Sequence, residues 1–195
     1  MSPGAAFYVD LRSPEAYLAA ERALAVLPAP CEWQPILTST LPGAETFDVH
    51  RCAREEEIMR ENFERRAREL ELLPLRWPDP FPFDSGFAML AATYAKALGK
   101  TVAFALAAFR QAYAGGKALS EHDNVLIAAA ACEIHPRALL AATQRGGVAD
   151  ELARASAEAL ALGVSDVPAV RVGDRVLVGE STLEQAGALL AGARR

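Results

Sequence analysis

The spacing of hydrophobic positions divides the chain into three parts. Residues 5 to 11, "AAFYVDL", form a short and mostly apolar run that predicts a strand. "PEAYLAAERALAVL" follows with Tyr17, Leu18, Ala20, Leu24 and Leu27 at helical spacing. "CEWQPILTST" is again β-branched and aromatic, and Pro42-Gly43 ends it. A right-handed crossover sets this second strand parallel to the first, which makes one βαβ unit. Pro35 has no N–H to give a ladder, so the second strand is expected at a sheet edge or at an irregularity.

From about His50 to Leu162 the pattern is wholly helical, with breaks at "LPLRWPDPFPF", Gly99, Gly115-Gly116, His135-Pro136 and Gly146-Gly147. About five helices are expected. The first, "REEEIMRENFERRARELELL", is dense in both charge signs at three- and four-residue spacing and reads as a solvated face. The next two carry apolar stripes, Phe87, Leu90, Tyr94 and Leu98, then Val102, Leu106, Phe109 and Tyr113, which are expected to face the core. After Gly163 the period returns to two in "PAVRVGDRVLVG", where Gly173-Asp174 suits a two-residue hairpin with positive φ at its first position. Ser181 and Glu184 have the spacing of a capping box opening the last helix.

The order βαβ, helical block, ββα outlines an α/β chain of thioredoxin-like fold with a large all-helical insertion. Residues 1–49 and 163–195 are assigned to the thioredoxin-like domain and residues 50–162 to the insertion. At 195 residues, 52% of them hydrophobic, the chain can bury a sizeable core. Its 20 basic and 25 acidic residues leave a net charge of -5 without a basic block, which argues against nucleic acid or a membrane as partner and leaves small molecules or proteins. No apolar run approaches the roughly 20 residues of a membrane span, and no signal-peptide pattern precedes Asp10 and Arg12. Cys31, Cys52 and Cys132 are widely spaced and form no Cys-x-x-Cys pair, which fits a reducing cytoplasm. Cys132 reads as a buried small hydrophobe. His50, His122 and His135 are scattered and His50-x-Cys52 is a lone pair, so no metal is expected.

Ser13, Pro14 and Glu15 have a complete local explanation as N-cap, first helical residue and dipole partner of the first helix. The stretches "FYVDLRSPEAYLA", "WQPIL", "PFPFDSGFAMLAA" and "GVSDVPAVRVGDRVLVGES", in this order and spacing, add another. Together they make the chain resemble the 2-hydroxychromene-2-carboxylate isomerase family, kin to DsbA-type oxidoreductases and kappa-class glutathione transferases. The resemblance implies a glutathione- or similar thiol-dependent isomerase or transferase acting on a small conjugated carbonyl compound, with a homodimer as its assembly. It implies that Ser13 is the catalytic hydroxyl holding a glutathione sulfur at a helix N-terminus, where a thiol pKa is lowered. Val167 would offer its backbone to that thiol compound beside a cis Pro168, and Glu180 and Ser181 would receive its γ-glutamyl end.

The resemblance also places Asp84 and Ser85 at the substrate. There the chain departs from the family, since relatives tend to have Asn-Thr and then an arginine. Glu15 stands where many relatives have an aromatic, and a carboxylate beside a thiolate opposes its ionisation. A Lys-x-x-Tyr pattern expected around residues 50 to 58 is replaced by "HRCAREEEI". The alternative is therefore a DsbA-family binding module without a redox dithiol and with impaired catalysis. A dithiol oxidoreductase is disfavoured, because a hydroxyl at position 13 cannot form a mixed disulfide.

Overall fold

The computed structural model describes residues 5–28, 30–42 and 53–192. Pro42 is therefore described without Gly43, while His50, Cys52 and the start of "HRCAREEEI" lie outside the described residues. Among the described residues there are four strands and eight α-helices: β1 (Ala5–Val9), α1 (Pro14–Val26), β2 (Glu32–Pro35), α2 (Ala53–Glu69), α3 (Gly86–Ala97), α4 (Thr101–Tyr113), α5 (His122–Ala131), α6 (Pro136–Thr143), α7 (Gly146–Ala161), β3 (Ala169–Val172), β4 (Arg175–Val178) and α8 (Leu183–Gly192). The chain has the expected thioredoxin-like fold with its helix-rich middle.

One sheet carries the order β2-β1-β3-β4. β1 pairs parallel with β2, setting Phe7 opposite Trp33 and Val9 opposite Pro35. Those first two rings meet edge to face at 4.9 Å. Ile36 N–H donates to Val9 O at 3.0 Å, so by the alternation of a strand the ring nitrogen of Pro35 faces away from β1, toward the open edge. β1 pairs antiparallel with β3, and β3 with β4 through the hairpin at Gly173-Asp174. Gly173 has φ 61°, the positive value that this turn demands.

The second strand is shorter than its apolar pattern. After Pro35 the chain leaves the sheet for a 3-10 turn at Thr38–Thr40, because Asp10 captures both the N–H and the hydroxyl of Thr38. Among the described residues the helical block holds six helices where about five were expected, the His135-Pro136 and Gly146-Gly147 breaks each starting a new one.

The charged helix α2 is largely exposed and carries intrahelical pairs such as Arg54 with Glu57 and Arg60 with Glu56. The stripe expected for α3 is a misreading. Its buried residues are Ala88, Met89, Ala91, Ala92, Thr93 and Ala95, while Leu98 is exposed and Phe87, Leu90 and Tyr94 are half-buried. α3 touches α4, α5, α6, α7 and β2, and only small side chains let so many neighbours approach it closely. In α4 the buried positions are Phe104, Phe109, Tyr113 and four small residues, with Val102 and Leu106 only partly covered.

A single apolar core runs from the sheet through α1 into the helical block, taking in Phe7, Leu11, Tyr17, Met89, Phe104 and Tyr113. Tyr17 and Tyr113 stack at 5.5 Å, which joins α1 to α4 at its centre.

Candidate functional site

The start of α1 is built by local chemistry. Ser13 has extended backbone angles, and its Oγ accepts the N–H of Ala16 at 3.1 Å, so it caps the helix. Pro14 brings no N–H, and Tyr17 N–H is met by Ser13 O. The loop before the helix is fixed by Asp10, which is fully buried. Its Oδ1 accepts Arg12 N–H at 3.1 Å, its Oδ2 accepts the Thr38 N–H and hydroxyl at 2.9 and 2.7 Å, and its backbone O accepts Ser13 N–H at 3.1 Å. Tyr113 closes the loop from the helical block by donating its hydroxyl to Arg12 O. Burial holds that phenol in its neutral, donating form by pushing its pKa well above the usual value.

Val167 and Pro168 lie directly beside this helix start. Their peptide bond is cis, as are those of Asp79-Pro80 and Phe81-Pro82. The Ser13 hydroxyl lies 3.5 Å from Val167 O, as a long donor. Pro168 O accepts Gly179 N–H at 2.8 Å, which brings the end of β4 to the same place. The next N–H, that of Glu180, is taken by Glu15 Oε1 at 2.8 Å. Ser13, Val167, Pro168, Gly179, Glu180 and Glu15 thus form one closed circuit of contacts. Gly179 has φ 99°, and a Cβ there would stand 3.3 Å from Glu15 Oε1, so glycine serves both the bend and the approach of the carboxylate.

Three expectations change here. Glu15 does not simply face the α1 dipole; it crosses to the segment before α8. Burial raises its pKa, opposed by the Glu180 N–H and reinforced by the charges of Asp166 and Glu180. Glu180 does not offer a free carboxylate. It is buried and bound by Arg22 of α1 and by Arg66 of α2, the latter at 3.0 and 3.2 Å. The capping box at Ser181 is replaced by a 3-10 turn over Glu180–Thr182, in which Thr182 Oγ1 donates to Gly179 O while Glu184 pairs with Arg22. An arginine within reach offers Glu184 a charge, which the Ser181 N–H cannot.

Asp84 and Ser85 stand apart from this circuit, before α3. Asp84 Oδ1 accepts Gly86 N–H at 2.9 Å, and the Ser85 hydroxyl is buried without a hydrogen-bond partner. Their link to the first loop is indirect: Ser85 O accepts Met89 N–H, and Met89 Sδ accepts Leu11 N–H at 3.3 Å.

A cleft of about 580 Å³ opens next to Glu15, between α1 and α2. Leu18, Ile58, Met59 and Phe63 supply its apolar wall, and Ser181 lies on its rim. The wall escaped sequence reasoning because α2 is so charged. The signal was there in Ile58, Met59 and Phe63, the apolar residues of "EEEIMRENFERR".

The described thiols are not activated. Burial raises Cys31 to about 12 and also raises Cys132, which was expected to be buried and is half-buried at the end of α5. Among the described residues no group of three or more His, Cys, Asp or Glu is arranged to hold a metal ion. His122 stacks on Phe87 at 3.8 Å, and His135 caps α6 through Nδ1. No helix among the described residues is long and apolar enough to cross a membrane.

Residues 6–191 match the family described as the DSBA-like thioredoxin domain. The chain belongs to this family. Among curated proteins, no sequence relative matches. A 2-hydroxychromene-2-carboxylate isomerase is similar over 98% of this chain and 96% of its own, with a TM-score of 0.83 and 17% identity. A probable DsbA oxidoreductase from Streptomyces coelicolor has a TM-score of 0.78 and 18% identity, covering 99% of this chain and 92% of its own. The cytosolic disulfide reductase DsbM from Pseudomonas aeruginosa, solved with GSH, has a TM-score of 0.65 and 18% identity over 98% and 97%. At such identities the likeness speaks for the DsbA-like fold alone.

Proposed function

We propose that this DsbA-like chain is a thiol-dependent isomerase or transferase, holding glutathione or another low-molecular-weight thiol at the start of α1 and acting on a small conjugated carbonyl compound. The observation that carries the reading is the Ser13 hydroxyl, a non-redox donor placed between a helix N-terminus and the carbonyl before a cis-proline.

The residues fit such a guest at the sulfur end. Ser13 Oγ is fully engaged only as an acceptor from Ala16 N–H; its proton is spent on the 3.5 Å contact to Val167 O, longer than a good O–H···O bond. That proton can turn to a sulfur anion while the cap stays intact. The helix end adds a partial positive charge, which favours the anion. A bound thiol supplies a nucleophile that adds reversibly to the conjugated double bond, allows rotation about the resulting single bond and leaves by elimination. Asp10 holds the loop so that Ser13 needs no rearrangement, and Tyr113 fixes Arg12 O from the other side.

The second reading, a thioredoxin-like binding module without catalysis, is favoured by one observation. The N–H of Glu180 is taken by Glu15 Oε1, and that of Val167 by Asp166 Oδ1 at 2.7 Å. Both groups would otherwise be available to a ligand backbone or carboxylate.

Calorimetric titration with glutathione, followed by the Ser13→Ala and Ser13→Asn variants, tests the first reading. Binding that weakens in both, although asparagine preserves the cap, supports a sulfur held by the hydroxyl. No heat and no thermal shift with glutathione, cysteine or coenzyme A would leave the binding module. Turnover in an insulin-reduction assay would overturn both readings in favour of a dithiol reductase.

A further inference from the structure

The cleft between α1 and α2 has chemistry of its own. Its volume of about 580 Å³ falls in the usual range of small-molecule sites, roughly 300 to 1,000 Å³. Its wall combines Ile58, Met59 and Phe63, apolar residues of the otherwise strongly charged α2, with Leu18 of α1, and Ile58 is left 43% exposed. Unbranched Met59 can adapt to more than one guest shape. Such a wall recognises a hydrocarbon body.

The charges at its inner end decide what the other part of the guest must be. Glu15 is half-buried, and it has no cationic partner among the described residues. One of its oxygens accepts Glu180 N–H, and the other has no hydrogen-bond partner among the described residues. Among the described residues Arg66 is the cation on the cleft wall, and its guanidinium is already engaged by Glu180 and Glu69. Glu180 is neutralised from behind by Arg22 and Arg66. An anionic group entering here would meet the carboxylate of Glu15 and find the nearest backbone N–H occupied. A cation would instead complete an unmatched charge in a sheltered place, where a charge-assisted hydrogen bond is strong.

We propose that this cleft binds a compact apolar cation, with an ammonium nitrogen on the second oxygen of Glu15 and a hydrocarbon body against Leu18, Met59 and Phe63. The site uses none of Ser13, Val167 or Pro168, although it borders Glu180 and Ser181, so its test is made without any thiol and can fail while the thiol reading holds.

The methionine methyl groups report on it. The chain has three methionines: Met59 lines the cleft, whereas Met89 is buried against the Leu11 N–H and serves as an internal control. Methyl-labelled protein is titrated at pH 7.5 with 2-phenylethylammonium and, separately, with 3-phenylpropanoate, which has a similar body and the opposite charge. Met59→Leu assigns the signal. The ammonium compound is expected to shift Met59 saturably and leave Met89 in place, while the carboxylate shifts neither. Glu15→Gln, which keeps an acceptor for Glu180 N–H, is expected to weaken the ammonium compound about tenfold or more, the effect of losing one charge-assisted bond. An equal response to both probes, no response of Met59 to the ammonium compound, or unchanged affinity in Glu15→Gln would each overturn the proposal. The comparison of the two probes needs only the unaltered chain, so it holds even if a variant misfolds.

Discussion

The Ser13 hydroxyl and the Val167 carbonyl lie 3.5 Å apart, joining the first helix to the strand that begins 156 residues later (169 − 13). The same oxygen accepts Ala16 N–H at 3.1 Å. One side chain therefore has a structural duty and a weakly used proton, and the two can be separated by mutation.

Ser13→Ala removes the cap. A lost N-cap costs about 1 kcal/mol, which lowers the melting temperature by about 2–4 °C in a chain of this size. Ser13→Asn should recover most of that loss, because an asparagine oxygen can accept the same N–H. Thermal melts of both variants check this; an asparagine variant no more stable than alanine would contradict the capping role.

Glu15 gives the site a pH dependence of known sign. Burial raises its folded pKa above the ordinary carboxylate value, so the native state holds this proton more tightly than the unfolded chain. Its contribution to stability then falls as pH rises from the ordinary carboxylate range through the folded pKa. The melting temperature of Glu15→Gln relative to the parent should increase across that window and stay flat below it. A difference that is constant from pH 3 to 7 would count against a raised pKa.

The two arginines on Glu180 should not be equivalent. The Glu180 side chain is 6% exposed and Arg22 14%, whereas Arg66 is 38% exposed. Arg22→Met removes the better-buried partner and should cost about 2–4 kcal/mol, short of the full loss because Arg66 remains. Arg66→Met should cost about 1 kcal/mol or less. Urea denaturation of the two variants gives the order, and equal losses would refute it.

Tyr17 and Tyr113 stack on each other, yet their hydroxyls differ. That of Tyr17 is buried without a partner, and burial raises its pKa to about 12. That of Tyr113 donates to Arg12 O. Tyr17→Phe is expected to be neutral or to stabilise by up to about 1 kcal/mol, while Tyr113→Phe costs about 1–2 kcal/mol. Chemical denaturation of the pair decides whether the signs differ.

The parts of this architecture legible in the sequence are those fixed by near neighbours. Gly173-Asp174 marks the hairpin because a two-residue turn needs positive φ, Pro35 marks an edge because it lacks an N–H, and Ser13 marks a cap because its partner is three residues away. The ring of Ser13, Val167 and Pro168 was legible through the family's motif order. What stayed hidden depends on which distant group is nearest. Nothing in the sequence matches Glu180 with Arg22 and Arg66, or Asp10 with Thr38. α3 misled for a different reason: a stripe of large residues implies one buried side, but a helix surrounded by five elements buries its alanines.

Asp10 has a consequence beyond holding two turns together. Its carboxylate has already organised Arg12 and Thr38 before any guest arrives. The ordering entropy of that loop is therefore settled during folding, and a thiol held at the head of α1, as proposed, need not meet it again. On the proposed reading, the head of α1 is a mould set in advance of its guest.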